Sequence, residues 1–173
     1  MDASRLVFLD ESGVNTDMSR LYARAKDGQR ANDSVPFKTG TSITLLSSMR
    51  LDGQIVYTTF PGAVNGERFK EYLREFLIES LRPGDIVIMD NLRSHKVTGV
   101  VELIKSVGAK VVYLPPYSPD YNPIENMWSK IKAFLRATKA RSVDALLEAI
   151  PLAFATVLPS DIAGWFKHAG YSC

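Results

Sequence analysis

The chain has 173 residues, 46% of them hydrophobic, with 21 lysines and arginines against 19 aspartates and glutamates, a net charge of +2. That length suits one domain with a real core, and the charge is too mild to announce nucleic acid by itself. The only cysteine is Cys173, which excludes an internal disulfide; the first residues lack a signal-peptide pattern, and the longest apolar stretch, Ile150 to Leu158, contains Pro151 and is too short to span a bilayer.

These features lead to the expectation of a soluble cytoplasmic protein without a membrane partner. Arg5 to Asp10 reads as a short apolar strand from the centre of a covered sheet, ending on Asp10 with Glu11-Ser12-Gly13 after it. Leu21-Tyr22-Ala23 reads as a further short strand and Gln29 to Gly40 as polar loop. Thr41 to Met49 and Gln54 to Phe60 form two strands, with the hairpin signal Asp52-Gly53 between them. Asn65 can cap a helix from about Gly66 to Leu81, in which Phe69, Tyr72, Leu73, Phe76 and Leu77 make one apolar face. Pro83-Gly84-Asp85 breaks that helix, and Asp85 is set aside as turn chemistry. Ile86 to Met89 is a second buried strand with Asp90 at its end. A polar loop from Asn91 to Lys96, a helix from about Thr98 to Val107 and a strand from Lys110 to Leu114 follow.

The chain then turns on three prolines, Leu114-Pro115-Pro116-Tyr117-Ser118-Pro119-Asp120-Tyr121-Asn122-Pro123. Proline fixes φ, so this turn is rigid. Asn122 can cap the next helix, and Pro123 suits its first position. Glu125 falls in the first turn, where it is either a catalytic group or the acidic half of a capping box with Asn122. Ile124, Met127, Trp128, Ile131, Phe134 and Leu135 line the buried face, and Glu125 shares a flank with Ser129, Lys132 and Arg136. Ser142 caps a further helix kinked or broken at Pro151, and Pro159-Ser160-Asp161 opens a last short one.

An antiparallel start followed by helix–strand alternation predicts an α/β domain, a mixed sheet with helices on both faces. The strands leading to Asp10 and Asp90 are then parallel neighbours. Both aspartates reach the carboxyl end of the sheet, where open sheets bind ligands, and Glu125 reaches the same rim. Three converging carboxylates repel one another, and a hard divalent cation such as Mg²⁺ or Mn²⁺ removes that repulsion. Two such ions would activate a water or hydroxyl against a phosphodiester. Each aspartate taken alone is equally a turn or cap residue. Glu11 reads as a solvated neighbour, and Asp120 as turn chemistry or an alternative third ligand. Lys130, Lys132, Arg136, Lys139 and Arg141 cluster after Glu125, either as a track for a phosphate backbone or as a solvated helix face. His95 either orients the site or fastens the loop to a helix, and Trp128 reads as core rather than a base-stacking surface.

Phe8-Leu9-Asp10-Glu11-Ser12, Met89-Asp90-Asn91 with His95, and the long block from Leu114 to Glu125 with Trp128 and Lys130 resemble the three signature blocks of DDE transposases. The nearest branch is the bacterial insertion-sequence group related to mariner elements, and the 34 residues between Asp90 and Glu125 fit its spacing. The resemblance implies a ribonuclease H-like fold with a mixed five-stranded sheet. It implies Asp10, Asp90 and Glu125 as catalytic ligands of two Mg²⁺ ions, with Mn²⁺ able to substitute. It implies hydrolysis at transposon ends and attack of the freed 3′-hydroxyl on target DNA, at TA sites, by a homodimer on DNA. Lys130, Lys132, Arg136 and Lys139 are the expected DNA contacts, and Asn91 and His95 the residues behind the ligands. Members also carry an N-terminal helix-turn-helix region. With the first strand at Arg5 that region is expected to be absent, so that residues 1–173 read as one catalytic domain: the second product of a split reading frame, a truncated relic, or a catalytic half that meets its recognition half in trans. The competing readings are a silent DNA-binding remnant, a nuclease acting on RNA–DNA hybrids, and a phosphotransferase with Asp10 as nucleophile.

Overall fold

The computed structural model describes residues 2–19, 41–116 and 118–171. The strand read at Leu21-Tyr22-Ala23, the loop from Gln29 to Gly40 and Cys173 lie outside them. Five apolar runs pair into one sheet: β1 (Leu6–Asn15), β2 (Ser42–Arg50), β3 (Ile55–Pro61), β4 (Ile86–Met89) and β5 (Lys110–Tyr113), in the order β3-β2-β1-β4-β5. β1 runs antiparallel to β2 and parallel to β4, β2 and β3 form the expected hairpin, and β5 lies parallel to β4. The hairpin turns at Gly53 with φ +94°, a conformation that favours glycine, while Asp52 accepts from the Gln54 N–H at 3.0 Å.

Helices cover both faces, which is why β1 and β4 read as unbroken apolar runs. Leu6, Phe8 and Ile88 pack under α3 (Ile124–Thr138), α4 (Val143–Ala155) and α5 (Pro159–His168). Val7, Leu9, Val87 and Met89 pack with Phe69 and Tyr72 of α1 (Gly66–Tyr72) and with Val100 and Ile104 of α2 (Val100–Ser106).

Four expectations need correction. β1 does not end at Asp10. Its pairing with β2 continues from Asp10↔Ser47 to Asn15↔Ser42, whereas its pairing with β4 stops at Leu9↔Met89. Asp10 is thus mid-strand towards β2 and at an open end towards β4. After α1 the helix passes through a π segment, Leu73–Leu77, and a 3₁₀ turn, Ile78–Ser80. The wider π turn rotates the apolar stripe, and Phe76 ends 39% exposed while Phe69, Tyr72, Leu73 and Leu77 stay buried. Of the two readings of Pro151, a kink or a break, the break does not occur: α4 runs through it. Asp85 is more than a turn residue: it is fully buried and meets Arg50 at 2.5 and 3.0 Å, a closed ion pair at the amino end of β4.

Candidate active site

Asp10 is 5% exposed, and its carboxylate is held from three directions. Oδ1 accepts the Glu11 N–H at 2.8 Å, and Oδ2 accepts Trp128 Nε1–H at 3.3 Å and Asn122 Nδ2–H at 3.4 Å. All three donors are neutral. Burial pushes the Asp10 carboxyl up to about 7, and the nearby charges of Glu125 and Asp90 add to the shift against the Glu11 N–H. The hydrogen bonds hold the side chain in place without neutralising it.

Asp90 follows β4 and has a different environment. Its Oδ1 accepts the Leu92 N–H at 3.0 Å and lies 2.7 Å from His95 Nδ1. Burial works to raise its pKa, but His95 and the Leu92 N–H outweigh it and hold the carboxyl below its ordinary range. Asn91 donates through Nδ2 to the Leu114 carbonyl, which ties the loop after β4 to the end of β5. His95 is fully buried in the 3₁₀ turn Arg93–Lys96.

Glu125 stands in the first turn of α3, exposed at the surface. The capping box with Asn122 does not form: α3 has no side-chain cap, Pro123 takes the cap position, and the Glu125 N–H bonds to the Asn122 backbone carbonyl at 3.1 Å. Asn122 turns its side chain inward to Asp10 instead, leaving its Oδ1 buried without a partner among the described residues. The acid thus keeps its carboxylate for the cleft. That cleft, about 460 Å³, is lined by Asp90, Asn91, Leu114, Pro116, Asn122 and Glu125; Asp10 does not line it and is joined to it through Asn122.

The donor set fits a hard divalent cation: carboxylate oxygens, with no lysine or arginine among the charges that shift Asp10. Among the described residues no group of three His, Cys, Asp or Glu side chains is already drawn together tightly enough to hold one. Glu125 is exposed, and its carboxylate is not taken up by a cap.

The basic residues separate. Lys130 pairs with Asp161 and fastens α3 to α5, so it is committed to the fold. Arg141 donates to the Thr16 and Met18 carbonyls. Lys139 ends α3 in a left-handed conformation, φ +53°. Lys132 and Arg136, half-buried on the flank below Glu125, make no ion pair among the described residues. Three residues escaped the sequence reading. Trp128 is core, as expected, but its indole N–H also holds Asp10; a buried tryptophan needs an acceptor, and that was the available signal. The sequence presents Asn122 as a cap and Glu11 as solvated, whereas Asn122 holds Asp10 and Glu11 Oε2 is buried 4.0 Å from His95 Nε2.

A family model described as DDE superfamily endonuclease matches residues 5–147. No curated protein matches the sequence. Among solved structures, the Mos1 transposase paired-end complex with left transposon end is 21% identical over 95% of this chain and 52% of that one, with a TM-score of 0.78. The Mos1 mariner paired end complex with Mn is 21% identical over 94% of this chain and 52% of that one, with a TM-score of 0.73. The catalytic domain of Mos1 mariner transposase is 18% identical over 97% of this chain and 78% of that one, at 0.67. The chain thus spans about half the length of the transposase chains in those complexes. At such identities the likeness shows the fold, which is ribonuclease H-like.

Proposed function

The chain belongs to the DDE superfamily endonucleases, and on that premise we propose that it is the catalytic domain of a transposase that cuts and joins DNA with divalent metal held by Asp10, Asp90 and Glu125. The observation that carries this reading is a cleft lined by Asp90 and Glu125, with buried Asp10 joined to it through Asn122 and its pKa raised by burial and by the charges of both acids. One of the matched transposase structures carries Mn, and another carries a transposon end.

Bound divalent ions would supply Lewis acidity and a nucleophile at neutral pH. The chain's own residues do the rest. Trp128, Asn122 and the Glu11 N–H fix Asp10; the rigid proline turn fixes the start of α3; Glu125 closes from the exposed side. Water attacks the scissile phosphorus and the bond to the 3′-oxygen breaks, leaving a 3′-hydroxyl. That hydroxyl then attacks a phosphodiester of target DNA, at TA sites, in an exchange that conserves the number of ester bonds. Lys132 and Arg136 lie where a phosphate backbone would run past Glu125, and Lys139 follows one turn on; Lys130 serves mainly to place α3. Choice of transposon ends falls to a helix-turn-helix region outside this domain, and two copies of the domain act together on DNA.

The test is nicking of supercoiled plasmid in Mg²⁺ and in Mn²⁺, wild type beside Glu125→Gln, with a recognition half added in trans. Nicking that needs both metal and Glu125 is expected. Nicking that survives in Glu125→Gln would remove Glu125 from the ligand set. An inert wild type with the recognition half present would favour the silent-remnant reading.

A further inference from the structure

Asp10 and Glu11 are consecutive on β1, so their side chains leave opposite faces of the sheet. Asp10 meets Asn122 and Trp128 on the α3 side. Glu11 points to His95, whose ring stacks on Phe69 of α1 with centroids 4.3 Å apart at 30°. We propose that Glu11 and His95 form a positioning pair that holds Asp90 in the orientation needed to receive metal, an inference that rests on Asp90 being a ligand.

His95 is fully buried and its place is fixed from several sides. Phe69 packs against one face, and the His95 carbonyl accepts the Tyr113 hydroxyl at 3.0 Å. The ring presents Nδ1 at 2.7 Å from Asp90 Oδ1 and Nε2 at 4.0 Å from Glu11 Oε2. Carboxylates only accept, and the imidazole N–H is the donor this ring can offer them. The Nδ1 approach is short but lies off the N–H direction, and neither ring nitrogen makes an aligned hydrogen bond. Glu11 Oε2 is also buried without a hydrogen-bond partner among the described residues. A buried carboxylate oxygen in that state is costly unless a cationic or polar group faces it, and the group that faces it is His95.

The contacts on Asp90 are one-sided. His95 and the Leu92 N–H both address Oδ1, which leaves Oδ2 as the oxygen available to an ion. The pair thus selects which oxygen of Asp90 serves the metal, as partners behind metal ligands commonly do. It also makes the Asp10-Glu11 dipeptide serve two ligands at once: Asp10 directly, and Asp90 through His95. A loop fastener alone would need neither the buried Glu11 oxygen nor the contact to Asp90.

The test uses Glu11→Gln, which keeps size and polarity, together with His95→Gln and the double variant. Mn²⁺ affinity is measured calorimetrically on the protein without DNA, and plasmid nicking is measured across a Mg²⁺ series. Glu11→Gln should weaken Mn²⁺ binding about tenfold and raise the half-saturating Mg²⁺ by a similar factor, with the rate at saturating Mg²⁺ within roughly threefold of wild type. The double variant should be no worse than His95→Gln. Unchanged Mn²⁺ affinity in Glu11→Gln, or single effects that multiply in the double variant, would overturn the pairing. If His95→Gln does not fold, Glu11→Gln decides alone. Asp90→Asn runs beside them: wild-type Mn²⁺ affinity in that variant would overturn Asp90 as a ligand and the pairing with it, whereas lost affinity there with no effect of Glu11→Gln would overturn the pairing only.

Discussion

The two ends of the central strands each bury an aspartate, and they treat it in opposite ways. At the amino end of β4, Asp85 receives both guanidinium nitrogens of Arg50 at 3.0 and 2.5 Å and the Arg82 N–H at 2.7 Å. Burial works to raise its pKa, but these contacts outweigh it and the carboxyl stays below its ordinary range. At the other end, Asp10 receives only neutral donors and faces two further acids, and burial with those charges pushes it up to about 7. Neither residue is open to solvent, at 0% and 5% exposed; Asp85 carries a guanidinium and Asp10 does not. A buried carboxylate whose cation comes from the chain is a structural joint. One given neutral donors and acidic neighbours is what the proposed cation site requires.

The strongest way to break this contrast is to neutralise each aspartate in turn. Asp10→Asn should cut metal-dependent nicking by on the order of 10³-fold while leaving the melting temperature of the metal-free protein equal or higher, because a buried charge is gone. Asp85→Asn should do the reverse. It strands Arg50 in the interior and should cost about 3–5 kcal/mol of stability, read by denaturant unfolding, with nicking per folded molecule little changed.

Metal itself sharpens the contrast next. Mn²⁺ at about 100 times its dissociation constant should stabilise wild type by roughly 2.7 kcal/mol. Asp10→Asn should lose most of that gain and Asp85→Asn should keep it. The acid and neutral arms of stability should also separate. Asp85 has a lowered folded pKa, so its contribution is present above the ordinary carboxylate range and is lost as pH falls through the folded value. Asp10 has a raised one, so the metal-free protein favours its protonated form and loses that contribution as pH rises from the ordinary range through about 7. Added Mn²⁺ should flatten the second arm only. The smallest effect is expected for Trp128→Phe, which keeps the core ring and removes the Nε1–H on Asp10. A loss near 1.5 kcal/mol in the affinity of the Asp10 site, about tenfold, would fit a hydrogen bond to a charged group.

The end that holds Asp10 was largely legible in the sequence, and the end that holds Asp85 was not. Two apolar runs ending near Asp10 and Asp90 announce parallel central strands, and the proline-rich turn announces a rigid mount for Glu125. The Asp85–Arg50 pair joins residues far apart in the chain, and Pro83-Gly84-Asp85 carries enough turn signal to account for the aspartate locally. Asn122 illustrates the same limit. Its spacing to Glu125 is that of a capping box, but a long-range acceptor, Asp10, takes its side chain. Glu11 was misjudged because alternation along a strand tells only that it leaves the face opposite Asp10; that His95 waits there depends on how the loop after β4 folds back. The π segment from Leu73 to Leu77 was invisible for a related reason, since helical periodicity assumes a constant pitch.

The most direct measurement is anomalous diffraction at the manganese edge from crystals of this protein soaked in Mn²⁺. Density bridging Asp10, Asp90 and Glu125 at the carboxyl end of β1 and β4 is expected, with none at Asp85. Manganese bound elsewhere, or no manganese at the three carboxylates under conditions that support nicking, would contradict the claim that this end of the sheet is built to receive a cation.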